Sequence, residues 1–175
     1  MSATTFSDRP RPRRAEDRPF DIRRVGDGDR AEWLRLRRSL WPGLDDAVHA
    51  REMDDYAARG ADAAVFVVDR GGGRLGGFIE VSTRDRIEVS FPDPVAYVEG
   101  WCVDADLRRR GAGRSLMAQA ESWARTRGLR QLGSDTDVAN ADSIRAHAAL
   151  GFRETIRLVH FLKDLGPRRR TGSAP

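Results

Sequence analysis

Residues 97–116 read YVEGWCVDADLRRRGAGRSL, a stretch that passes from buried strand to basic turn to helix. With the residues before it, the segment 94–103 is apolar on both alternating faces, as expected of a central strand covered on both sides. Gly100 interrupts it, which marks a bulge or a close approach of the backbone to a ligand. From Gly113 onward Leu116, Ala120, Trp123 and Ala124 recur at helical spacing, and Gly128 supplies a stop. Between strand and helix lie Arg108, Arg109, Arg110, Gly111, Ala112, Gly113, Arg114 and Ser115. A glycine-containing turn that opens a helix presents unpaired backbone N–H groups and the positive end of the helix dipole, so it can wrap a phosphate. Neighbouring arginines add side-chain charge. The pattern is not the dinucleotide G-x-G-x-x-G, because Leu116 takes the third glycine's place, and it lacks the Gly-Lys-Ser/Thr of a P-loop. A phosphate held here would belong to another ligand class; taken alone, the motif also reads as a plain basic turn at a helix start.

Nearer the N-terminus, FDIRRV (20–25) reads as a half-buried strand, and Asp27 or Asp29 caps a helix over 29–41 that Pro42 and Gly43 end. A second, acidic helix covers about 45–59. The strand AAVFVVD (63–69), a Gly71–Gly73 turn and RLGGFIEVSTR (74–84) form a hairpin. After the helix that starts near Gly113 come a short strand at 130–136, a helix from Asn140 to Leu150, and a final hairpin pair at 152–156 and 157–163. This order predicts a mixed α/β sheet of six to seven strands with helices on both faces.

A chain of 175 residues suits one domain, expected over 20–165 between an Arg/Pro-rich tail (1–19) and a short basic tail (166–175). The charge of +4 sits in those tails, which together carry +5 and leave the body at −1. A nucleic-acid partner is therefore not expected, and solvated ends are the favoured reading of the tails. The body holds its acids in two clusters. Asp45, Asp46, Glu52, Asp54, Asp55 and Asp62 fall in 44–62; Glu80, Asp85, Glu88, Asp93 and Glu99 fall in 80–99. If these segments meet, they favour a cationic ligand. One cysteine, Cys102, excludes an internal disulfide, and with three histidines no metal site is expected. No apolar segment follows the basic N-terminus, so neither a signal peptide nor a membrane anchor is expected, and the cytoplasm is the expected compartment.

The buried strand with its glycine break, the R-x-x-G-x-G turn, SDT at 134–136, Asn140 and HAALGF beyond resemble the GNAT acetyltransferase superfamily. With LW at 40–41, His49, ESWARTRG at 121–128 and VHFLKDL at 159–165, the match narrows to aminoglycoside 6'-N-acetyltransferases over about 20–165. The resemblance implies acetyl-CoA as co-substrate and the 6'-amine of a polycationic drug as acceptor, with consequent antibiotic resistance. Another small amine, such as a polyamine, a peptide amine or a metabolite, is the alternative acceptor. A homodimer is among the assemblies it allows. Arg108 through Ser115 would hold the pyrophosphate, and the strand around Trp101, Cys102 and Val103 would pair with pantetheine. Asn140 falls with them on the cofactor side.

Candidate roles follow, each beside a plainer one. Glu99 is a carboxylate in an apolar strand, where burial without a partner penalises the charged form; it binds the drug, or it reaches solvent at the strand edge. Asp135 orients the ammonium and takes its proton directly or through water, or it caps the next turn. A carboxylate is a poor base for an amine of pKa about 10, so positioning outweighs proton affinity. His147 stands where many relatives place a tyrosine that protonates the leaving thiolate; a satisfied structural histidine is the alternative. Trp41 stacks on substrate or ends the first helix as a core aromatic. Cys102 reads as a small buried strand residue rather than a nucleophile. Arg86 and Ile156 depart from the family pattern, where an aromatic and an acid occur, and so bear on drug range.

Overall fold

The computed structural model describes residues 20–88, 94–164 and 166; the two tails, apart from Gly166, lie outside the described residues. The described residues divide into two compact units, one ending at Thr136 and the other beginning at Asp137.

The first unit holds a five-stranded sheet whose spatial order follows the chain: β1 (Asp21–Arg24), β2 (Ala63–Asp69), β3 (Leu75–Arg84), β4 (Val95–Val103) and β5 (Leu132–Ser134). Strands β1 to β4 are antiparallel, and β5 runs parallel to β4. A parallel return needs a crossover, which α3 (Ala112–Thr126) supplies, whereas α1 (Arg30–Leu40) and α2 (Asp46–Ala58) connect β1 to β2. The mixed α/β sheet is as read from the sequence, but the described residues form five strands and not six to seven.

Side-chain alternation sorts the two faces. Val65, Val67 and Phe78 join Trp33 and Leu36 of α1 and Met53 of α2 in one buried cluster. Their strand neighbours Ala64, Phe66, Val68 and Ile79 are equally buried and point the other way. There α3 packs on β2, β3 and β4, burying Leu116, Met117, Ala120, Trp123 and Ala124. Both faces being covered, β2 and the first part of β3 show no polar side.

Helix α2 starts as its sequence dictates, with the Asp45 carboxylate accepting from the Val48 N–H. Helix α1 does not. Asp29 precedes it, yet its carboxylate accepts from the Arg23 guanidinium at 2.6 and 2.9 Å and from the Gly26 N–H at 2.7 Å. The Arg23 hydrogen bond holds that carboxyl below the usual range. A charged donor has outcompeted the helix terminus, so neither Asp29 nor Asp27 caps α1 with its side chain.

The second unit contains α4 (Ala141–Ala149), closed by Gly151 at φ +88°. Residues 152–164 form no strand, which overturns the hairpin expected at 152–156 and 157–163. Leu158, Val159, Phe161 and Leu162 are exposed. Apolar alternation is present there, but an isolated hairpin is marginal without a third strand, and the described residues of this unit contain none. Among the described residues no helix is long and apolar enough to cross a membrane, and no group of three or more His, Cys, Asp or Glu side chains is placed to hold a metal ion.

Candidate active site

The strand β4 is irregular where its sequence breaks. Gly100 pairs with Glu80 and Val98 with Val81, so Glu99 is the extra residue of a bulge. Its carboxylate accepts from the Ser82 hydroxyl at 2.6 Å and from Arg84 Nε at 3.0 Å, with a second contact from Arg84 Nη2. Glu99 thus has a cation and a donor that compensate the burial of its charge. Gly100 marks a close approach, to an aromatic ring: a Cβ there would lie 2.4 Å from Cη2 of Trp41 and 3.3 Å from Glu80 Oε2. Gly100→Ala is expected to cost about 1–3 kcal/mol through overpacking; urea unfolding with an unchanged midpoint would show that Trp41 moves aside freely.

Trp41 walls a cleft of about 300 Å³ that is also lined by Glu52, Asp55 and Tyr56 of α2, by Glu80 and by Glu99. The two acidic segments therefore meet. At its base Arg37, 1% exposed, donates to Glu80, also 1% exposed, and to Glu52. The guanidinium lies 4.6 Å from the Trp41 ring centroid, and Trp33 Nε1 donates to Glu80 at 2.9 Å. Burial pushes the Glu80 carboxyl up to about 7, against the charge and hydrogen bond of Arg37 and the hydrogen bond of Trp33. Arg37 was not among the residues singled out from sequence, and Glu80 was named only as one of the clustered acids. The reasoning applied to Glu99 fits Glu80 better, since FIEVS places an acid between apolar neighbours.

Asp135, exposed, follows directly on β5. Tyr97 donates its hydroxyl to Asp135 Oδ1 at 2.7 Å. Burial, then the bond to Asp135, pushes the Tyr97 phenol up, which keeps it a donor. Over the Tyr97 ring, 3.5 Å from its centroid, lies the Arg84 guanidinium that also binds Glu99. Glu99 and Asp135 are joined through Arg84 and Tyr97. Asn140 and His147 belong to the second unit. There the Asn140 side chain accepts from the Ser143 N–H at 3.0 Å and caps α4. His147 Nδ1 lies 2.8 Å from the Ser143 carbonyl, and a carbonyl only accepts, so Nδ1 carries a proton.

The ladder between β4 and β5 ends at Val98 and Ser134, while β4 runs on through Trp101, Cys102 and Val103. A single 3-10 turn at 105–107 follows, then Arg109 at φ +60° and Gly111 at φ +99° swing the chain into α3. The first intrahelical bond runs from the Ser115 N–H to the Gly111 carbonyl, which leaves the Ala112 and Gly113 amides ahead of it. Gly113 sits against the Trp101 ring, where a Cβ would meet Cζ2 at 2.8 Å. Arg108, Arg109, Arg110, Gly111 and Arg114 are exposed around this turn, and Arg108 Nε donates to the Val103 carbonyl at 3.0 Å. Amides, a helix terminus and exposed guanidinium groups make a cradle that fits a diphosphate. Cys102 is buried, and burial pushes its thiol up, away from the reactive thiolate.

Beside a bulged β4, a ladder that stops and a basic turn opening α3 stands a family match: residues 30–152 match the acetyltransferase (GNAT) family, and the chain belongs to it. Within that class it resembles one group in particular. The aminoglycoside N(6')-acetyltransferase type 1 of Stenotrophomonas maltophilia is 38% identical over 147 residues, spanning 83% of this chain and 94% of that protein. The protein of the same name from Serratia marcescens is 42% identical over 144 residues, spanning 77% and 92%. Among solved structures, AAC(6')-Iy in complex with the bisubstrate analog CoA-S-monomethyl-acetylneamine superposes with a TM-score of 0.76 at 32% identity, over 84% of this chain and 99% of that one. The aminoglycoside 6'-N-acetyltransferase AAC(6')-Ih of Acinetobacter baumannii gives 0.76 at 31% identity, over 85% and 100%.

Proposed function

We propose that this protein transfers the acetyl group of acetyl-CoA to the 6'-amine of an aminoglycoside, removing one positive charge from the drug and conferring resistance. The observation that carries the reading is the convergence of four acids, Glu52, Asp55, Glu80 and Glu99, against two arginines, Arg37 and Arg59, on one cleft with an aromatic wall, Trp41. Such a cleft suits an amino sugar, whose ring faces are apolar and whose substituents are ammonium groups.

Acetyl-CoA supplies an activated acyl group; the chain supplies position and charge. The turn from Arg108 to Ser115 holds the pyrophosphate, and the strand Trp101–Val103 lies along pantetheine. Glu99 receives an ammonium of the drug, and Asp135 orients the amine that reacts. As the amine nitrogen bonds to the acyl carbon and the carbon–sulfur bond breaks, one proton leaves the amine, by way of Asp135 or a water, and one reaches the departing sulfur. His147 is the proposed donor of the second, with Asn140 on the cofactor side. The expectation is tested by CoA-thiol release with neomycin, which carries a 6'-amine, beside paromomycin, which carries a hydroxyl there. Fast release is expected with neomycin alone. Release with neither drug, but with spermine or a peptide amine, would overturn the aminoglycoside reading and keep the acetyl transfer.

A further inference from the structure

Glu99, one of the acids that line the cleft, already holds a cation. Arg84 is the last residue of β3, and its guanidinium forms a two-pronged contact with the Glu99 carboxylate. The same guanidinium lies on the Tyr97 ring, whose hydroxyl engages Asp135. Burial opposes the Arg84 charge, and the hydrogen bond and charge of Glu99, helped by Asp135, outweigh it. The Arg84 side chain is nonetheless 41% exposed, against 23% for Glu99. It sits at the mouth of the pair and can swing outward without unburying the core.

We propose that Arg84 is a resident counter-ion that an incoming cationic substrate must displace from Glu99, and that it thereby sets the charge a ligand needs to enter the cleft. The inference rests on the cationic substrate proposed above. Replacing one cation by another on Glu99 yields little net energy, so a monoamine gains almost nothing by entering. A polycation reaches Asp55 of the same cleft, and the side of Glu52 that Arg37 leaves open, with its remaining ammonium groups, and those contacts drive the exchange. Every ligand meets the same opposition, but only weak ones are pushed out of the concentration range in which they bind. Tyr97 keeps the displaced guanidinium nearby through its ring face, ready to return when product leaves.

The opposite role, a guanidinium that merely braces Glu99, predicts weaker binding when Arg84 is removed. Displacement predicts tighter binding. The measurement is calorimetric binding of neomycin, spermine and ethylamine to the full chain and to Arg84→Met, which keeps the stem over Tyr97 without the charge. Neomycin and spermine are expected to bind the variant about tenfold tighter, the effect of a hydrogen-bonded charge pair partly open to water. Ethylamine binding is expected to become measurable. In a Glu99→Gln background the same Arg84→Met change is expected to have no further effect. Arg84→Gln repeats the test should the methionine variant fail to fold. Equal or weaker binding in both Arg84 variants, absence of binding by all three probes, or a gain that survives Glu99→Gln would overturn the proposal. Because binding and not turnover is read, a protein that fails to acetylate neomycin still tests it through spermine.

Discussion

Asp135→Asn is expected to lower kcat/KM for neomycin about 100-fold or more while leaving the melting temperature unchanged. The exposed carboxylate sits at the end of β5, so little packing depends on it. Asparagine keeps the size and an oxygen to accept from Tyr97, as Oδ1 does at 2.7 Å. Only the negative charge is lost. An ammonium must shed a proton before its nitrogen can attack, and a carboxylate is a poor acceptor from a group of pKa about 10. In the proposed role the charge would act mainly by holding the amine in line and stabilising the positive charge that grows on nitrogen as the bond forms, with water carrying the proton onward. Losses of about 100- to 10,000-fold accompany removal of such groups. Steady-state kinetics decide the matter: near-normal turnover would remove Asp135 from the reaction, and a rise in KM with kcat retained would reduce it to a binding residue.

The parts of this protein visible in its sequence are those fixed by short-range pattern. AAVFVVD lies between an acidic helix and a run of glycines, and β2 occupies those residues without an overhang. Asp45 caps α2 because nothing stronger competes for its carboxylate. The basic turn was legible because glycine spacing and a helix start are both local. What escaped depends on register. Glu80 and Glu99 are both acids in apolar strands, and the bulge decides which of them turns toward Arg37. Arg37 itself left a signal: four residues after Trp33 and one after Leu36, it falls on the apolar face of α1, where a lone arginine requires a buried partner. The terminal hairpin shows the opposite error, since alternation supplies a strand's faces but not the neighbouring edge that its ladder needs.

Arg37→Ala is expected to cost about 3–5 kcal/mol of stability, the largest loss foreseen for any single replacement on the cleft, because it strands a buried carboxylate. Arg37 and Glu80 are each 1% exposed, so the pair is shielded from water, and without the guanidinium Trp33 alone among the described residues continues to donate to Glu80. The deficit depends on pH in a stated direction. Glu80 moves from 4.5 to about 7 on folding, so the stability linked to its protonated form is fully present below 4.5 and disappears as pH rises through about 7. Arg37 opposes that rise through its charge and hydrogen bond. Without it the carboxyl holds its proton still more tightly, and the variant falls further behind the parent at alkaline pH than at acid pH. Urea unfolding on either side of pH 7 measures the difference. The companion Arg37→Met, Glu80→Leu double variant removes both charges and is expected to recover most of the loss, since apolar replacements of a buried pair are tolerated where removal of one partner is not. A deficit below about 1 kcal/mol, the range of exposed pairs, or one that is flat with pH, would show that water reaches Glu80. In that case the floor of the cleft is wet, and Trp41 rests on Arg37 without the ion pair beneath it.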